Sequence, residues 1–297
     1  MTQTSQKSHA PQIFDRALLR QRLNRAARAE NPPAYLFERV VEDMAFRLST
    51  IRRDFPRVLD LGSPMPSLAK MLAAPGRFVV RAAPTPTLVG PEGGLVADDE
   101  VLPFRNEAFD LVVCALNLHY VNDLPGALAQ IRRTLAPDGL FLAALIGGQS
   151  LQELRICLTQ AQEELEGGAS PRVAPFADLR DLGGLLQRAG LALPVTDCDS
   201  LVVRFPSALH LMRDLRFMGA ANPLVAGARR PLRRATLLRA AALYAEKFSD
   251  PDGKVRATFE IIWASGWAPH ESQQKPLAPG SATKRLSEAL GDKAGGF

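Results

Sequence analysis

The feature that most constrains this chain is a regular alternation of short apolar strands and helices between Arg57 and Ile146. Arg57 to Leu61 reads RVLDL, a short strand, and Ser67 to Ala73 follows as a short helix. Arg77 to Ala83 and Leu95 to Ala97 are the next two strands. Phe109 to Ala115 (FDLVVCA) is apolar on both faces, which suits the centre of a parallel sheet. A helix over Leu124 to Leu135 leads through Pro137-Asp138-Gly139 into a strand over Leu140 to Ile146. In that tripeptide Pro137 sets one dihedral, and Gly139 is expected to supply a positive φ. Strands and helices alternating at this length imply βαβ units and a parallel sheet.

The flanks extend the pattern. Two amphipathic helices precede it, from about Phe14 to Glu30 and from about Ala34 onward; the second places Leu36, Val40, Val41, Met44 and Leu48 at helical spacing. After Ile146 come helices over Ser150 to Leu165, Ala177 to Ala189, Ser207 to Met218 and Pro231 to Phe248. Pro194 to Phe205 and Thr258 to Trp267 read as two further strands. Ser150 is placed to cap the helix that it opens. The expected fold is α/β, a doubly wound, mostly parallel seven-stranded sheet with N-terminal helices. Residues 1–12 read as a disordered tail, 13–56 as the N-terminal helices, and 57–270 as the main domain with a helical insertion near 206–250. Residues 271–297 read as a C-terminal tail.

Composition excludes several classes. Of 297 residues, 46% are hydrophobic and 23% charged, which is enough apolar material for a sizeable core. No apolar run approaches the roughly 18 residues that a membrane span needs. The first twelve residues carry neither an apolar stretch nor a cleavage site, so they do not read as a secretory signal. Cys114, Cys157 and Cys198 share no metal-ligand spacing, and the four His form no metal motif. No metal site is therefore expected, and the three thiols point to a reducing cytoplasm. The net charge of +5 suggests an acidic partner, but Arg229, Arg230, Arg233 and Arg234 lack the interleaved aromatics of a nucleic-acid surface. Nucleic acid is not an expected partner.

In a doubly wound sheet the ligand sits beyond the carboxyl ends of the strands. Four segments lie there: Asp60-Leu61-Gly62, Ala82-Ala83-Pro84, Ala97 to Glu100, and Asn117 to Tyr120. The run ADDEVLPFRNEAFDLVVCALNLHYVNDLPGALAQIRRTLAPDGLF, with VLDLG before it, resembles the core of class I S-adenosylmethionine-dependent methyltransferases. The segments IFDR, GGQSLQELR, EGGASPRVAPF, DLGGLLQRAGL and GWAPHESQQKP are similar to a narrower branch. That branch is the family of respiratory complex I assembly factors that hydroxylate an arginine of an iron–sulfur subunit. The resemblance runs from Ile13 to about Leu290. It implies a protein substrate, S-adenosylmethionine as the suspected cofactor, and a cytoplasmic protein that meets the inner membrane through a partner.

The resemblance assigns residues position by position. The family's Asp-Leu-Gly-x-Gly-x-Gly loop reads Asp60-Leu61-Gly62-Ser63-Pro64-Met65-Pro66 here, so Asp60 and Gly62 remain as cofactor-binding candidates. Prolines stand at the two later glycine positions, fixing φ near −65° and removing two N–H donors. The acidic residue that grips the ribose is replaced by Ala82. Asp98 stands where the family places a carboxylate near the adenine, and Asn117 follows the fourth strand. His119 is the candidate catalytic base, at the mouth of the cleft. Each has a bland counterpart: a strand-capping relic for Asp60 and Gly62, a solvated acidic turn for Asp98, and a hydrogen-bonded loop residue for His119.

Three functions compete at this stage. One is a protein-arginine hydroxylase of complex I assembly. Another is an O-methyltransferase on a small or carrier-bound acid, against which the lost glycines count, because methyl transfer needs near-attack geometry. The third is a non-catalytic fold used as an assembly chaperone. The loop from residue 62 to 68 separates them, according to whether Pro64, Met65 and Leu68 fill the hollow or leave it open.

Overall fold

The computed structural model describes residues 12–91, 93–176, 178–226 and 231–274. Most of both expected tails, together with Arg229 and Arg230, lies outside the described residues. The strands are β1 (Arg57–Leu61), β2 (Phe78–Ala83), β3 (Leu95–Val96), β4 (Phe109–Ala115), β5 (Leu135–Ile146), β6 (Ala192–Phe205) and β7 (Val255–Trp267). They form one seven-stranded sheet in the order β3-β2-β1-β4-β5-β7-β6. β1 to β5 run parallel, and β7 lies antiparallel between β5 and β6. The strand order reverses between β1 and β4, which places a crevice at their carboxyl ends.

Period-two alternation gives the sheet two apolar faces. Val58, Leu111, Val113, Leu142 and Trp263 share one core cluster with residues of α2 (Tyr35–Ser49), α3 (Ser67–Leu72) and α6 (Gln152–Glu166). Leu59, Leu61, Val112, Cys114 and Phe141 face the other way, onto α5 (Leu124–Thr134) and α7 (Leu179–Arg188). Leu211 and Leu215 of α8 (Ala208–Phe217) and Ala240, Leu243 and Tyr244 of α9 (Arg234–Phe248) join the first cluster. Each fully buried side chain of this size contributes about 1.5–3 kcal/mol. α4 (Pro86–Val89) is a single turn after β2, and α1 (Arg16–Ala27) lies over the crevice.

Two local expectations are corrected. In the Pro137-Asp138-Gly139 turn the positive φ falls on Asp138, at 62°, and not on Gly139. Gly139 is required for space: a Cβ there would stand 2.8 Å from the Ala136 carbonyl oxygen. The strand also begins before the turn, at Leu135. Ser150 does not cap α6. Its hydroxyl accepts the Glu260 N–H at 2.9 Å and donates to the Glu260 carbonyl at 3.1 Å, tying the loop after β5 to β7. The helix starts at Gln152 behind Leu151, whose φ is 55°.

Candidate active site

The crevice is built by the loops that leave β1 and β4. Gly62 follows β1 with φ of +77°, a conformation that costs a side-chain-bearing residue about 1–2 kcal/mol. It is also in close contact: a Cβ there would stand 2.1 Å from Asn117 Nδ2. Glycine at 62 therefore lets the β1 loop pack directly onto the β4 loop. Leu68 is fully buried in the core, while Pro64 and Met65 line the crevice wall.

Gly62, Asn117 and His119 line a cavity of about 110 Å³, together with Asp99, Met65 and Phe176. Leu19 and Leu23 of α1 form part of its wall. Asp60 is outside this lining. It is wholly buried beneath the loop, with Arg81 Nε 3.7 Å from Oδ2 and no hydrogen bond to either oxygen. The prolines at 64 and 66 have no N–H to offer it. Burial pushes its carboxyl up to about 6, although Ser63 and Arg81 pull the other way. Arg81 donates to the Ser63 carbonyl at 3.0 Å and the Val89 carbonyl at 2.7 Å, so it stitches the β1 loop to α4.

The acidic turn after β3 divides its labour. Asp98 stays at the rim, where it accepts the Glu100 N–H at 3.0 Å and a hydrogen bond from Arg20 at 3.0 Å. Asp99 points inward, and Asn117 Nδ2 donates to it at 3.3 Å. Arg16, the first residue of α1, lies against both. Its Nη2 donates to Asp98 at 2.8 Å and also to Asp99, and its Nη1 donates to the Tyr120 carbonyl at 3.2 Å. Its Nε is 3.9 Å from Glu100. Burial works against the Arg16 charge, but Asp99 and Asp98 outweigh it and hold its pKa above the ordinary arginine value. Burial also works against charge on Asp98, where the Glu100 N–H and Arg16 outweigh it and its pKa falls. At the deeper Asp99 burial prevails, and its pKa rises.

His119 is 8% exposed, with its ring 4.2 Å from that of Tyr120 and 5.7 Å from that of Phe176. Nδ1 has no hydrogen-bond partner, and burial lowers the ring pKa to about 3. The imidazole is therefore neutral at physiological pH. Among the described residues, no group of three or more His, Cys, Asp or Glu is placed to hold a metal ion. Sequence reasoning missed Asp99 as the inward carboxylate and Arg16 as its partner. The IFDR segment marked Arg16, but nothing local joins residue 16 to residues 98 and 99.

A family model described as a methyltransferase domain matches residues 59–143. The human protein named "Arginine-hydroxylase NDUFAF5, mitochondrial" is 43% identical over 93% of this chain and 83% of its own length. A malonyl-[acyl-carrier protein] O-methyltransferase of Halorhodospira halophila is 31% identical over 86% of this chain and 89% of its own length. A solved putative methyltransferase from Bacillus halodurans superposes with a TM-score of 0.53 at 15% identity, over 77% of this chain and 98% of that one. The last match concerns the fold. The chain belongs to the family of the arginine hydroxylase NDUFAF5, carried on a class I methyltransferase fold.

Proposed function

We propose that this protein hydroxylates an arginine side chain of a protein substrate, a subunit of respiratory complex I. The observation that carries this is the 43% identity to human NDUFAF5 across 93% of the chain. Replacing a hydrogen of arginine by hydroxyl is a two-electron oxidation. With dioxygen as oxidant, the second oxygen atom leaves as water and takes up two electrons and two protons from a reductant. We assign this chain's residues to binding and orienting the arginine. Asp99 and Asn117 supply polar contacts in the cavity, and His119, whose basicity burial lowers, supplies a hydrogen-bonding nitrogen.

The residues in this arrangement do not fit S-adenosylmethionine. The cavity of about 110 Å³ is well below the roughly 300–1,000 Å³ of ligand clefts, and the larger hollow of about 1060 Å³ that shares Pro64 and Met65 with it includes none of Gly62, Asp99 and Asn117 in its lining. The end of β2 offers Ala82 and Ala83 where a ribose needs an acceptor. A ligand at a hundredfold excess over its dissociation constant adds about 2.7 kcal/mol, or a few degrees in Tm. S-adenosylmethionine at millimolar concentration is expected to leave the melting temperature of the full chain unchanged. A shift of a few degrees would return methyl transfer to consideration.

The activity itself is read by mass spectrometry of the complex I subunits from cells with and without the gene. One arginine is expected to carry an added oxygen atom only when the gene is present. Identical arginine masses in both would discard hydroxylation and leave the chaperone reading.

A further inference from the structure

The guanidinium group of Arg16 is held as a substrate arginine would be. One planar cation meets Asp98, Asp99 and the Tyr120 carbonyl, with Glu100 at its edge. Its side chain is 13% exposed. A planar fork of five donors matches carboxylates in this way, and a lysine ammonium does not. The wall behind it holds two polar groups without partners. Asn117 Oδ1 and His119 Nδ1 are both buried and both belong to side chains lining the same cavity. Buried polar groups left unpaired cost about 1–3 kcal/mol each, so an incoming polar group that pairs with Asn117 Oδ1 or His119 Nδ1 gains what Arg16 does not supply. Arg16 is itself imperfectly satisfied, since its buried Nε makes no hydrogen bond.

We propose that Asp98, Asp99 and Asn117 form a guanidinium-recognition site for a protein arginine, and that Arg16 of this chain occupies it as a displaceable plug. The inference rests on the arginine-hydroxylase reading for the identity of the incoming side chain, and on geometry for the rest. The plug is tethered from outside the site. Asn122 Oδ1 accepts the N–H groups of Ile13 and Phe14, each at 2.8 Å, and Phe14 packs edge-on against Tyr120 at 5.7 Å. Asp15 N–H donates to the Pro223 carbonyl at 2.8 Å, and the Val225 N–H donates to the Ile13 carbonyl at 2.9 Å. Loosening that tether frees the start of α1, and with it both Arg16 and the Leu19 wall. A substrate arginine then enters where Arg16 was, approaching from the cavity rather than from α1, so that its N–H groups reach Asn117 as well as the carboxylates.

The test is calorimetric binding of N-acetyl-arginine N-methylamide and its lysine counterpart to the full chain. A plug lowers apparent affinity by the fraction of molecules in which it is open. Arg16→Ala is expected to bind the arginine amide about tenfold or more tightly than wild type, with no gain for the lysine amide. Adding Asp99→Asn to that variant is expected to abolish the gain. Asn122→Ala, which leaves every group touching the guanidinium in place, is expected to move affinity in the same direction, and it serves if Arg16→Ala does not fold. Equal gains for both amides, or no gain in either variant, would overturn the proposal. So would an Arg16→Ala protein stabilised by S-adenosylmethionine and not by the arginine amide, because α1 would then be gating a cofactor cleft. Binding is read without turnover. A confirmed site in a protein that adds no oxygen would sink the hydroxylase reading and keep this one.

Discussion

Asp60→Asn is expected to make the protein more stable at neutral pH, by up to roughly 3 kcal/mol. The carboxyl is wholly buried without a hydrogen bond, and its pKa stands near 6 against 3.8 in an unfolded chain. The native state therefore holds the proton more tightly than the unfolded state does. Below about pH 4 both states are protonated, and the site carries no ionisation penalty. As pH rises from 4 to 6 the unfolded chain releases its proton first, and stability falls. Above 6 the penalty is complete, at roughly 1.4 kcal/mol for each pK unit. Asparagine resembles the neutral acid in shape and never ionises. The difference between variant and wild type in urea unfolding should thus be near zero at pH 4 and largest above pH 6.5. A variant less stable than wild type at pH 7 would mean that the charged Asp60–Arg81 pair outweighs the burial.

Gly62→Ala is expected to cost about 2–3 kcal/mol and to disturb the cavity. Two effects add. The φ of +77° strains any residue with a Cβ, by about 1–2 kcal/mol. The Cβ would also drive Asn117 Nδ2 away from 2.1 Å and break its hydrogen bond to Asp99, worth about 1 kcal/mol more. A double-mutant cycle separates the two. In an Asn117→Ala background the amide clash is gone and only the Cβ contact at 3.1 Å remains, so Gly62→Ala should cost little more than the backbone strain of about 1–2 kcal/mol. An equal cost in both backgrounds, measured by chemical denaturation, would show that Asn117 yields freely and that Gly62 is needed for its dihedral angle and not for the contact.

The contrast between these neighbours shows what could be read before any coordinates. Asp60 and Gly62 were both marked by the family's loop pattern, yet they sit in different environments. Gly62 lines the cavity, whereas Asp60 lies beneath it, and a linear motif carries no sign of that division. The two prolines were legible as a loss of donors, and the orphaned Asp60 oxygens are consistent with that loss. The choice of Asp98 over Asp99 was not legible. Adjacent residues in a turn point opposite ways, and which of them faces inward depends on how β3 is seated beside β2.

The strands and their mostly parallel arrangement follow from the sequence, because βαβ spacing is a local pattern that one chain carries along its length, whereas the reversal between β1 and β4 is set by the tertiary strand order. The family followed from motifs spread over nearly all of it. Tertiary structure decided that Arg16, 82 residues before Asp98 in sequence, would close the crevice. It also decided that His119 would be buried and neutral. Both depend on desolvation and charge pairing between segments distant in sequence, and those quantities exist only once the chain has packed.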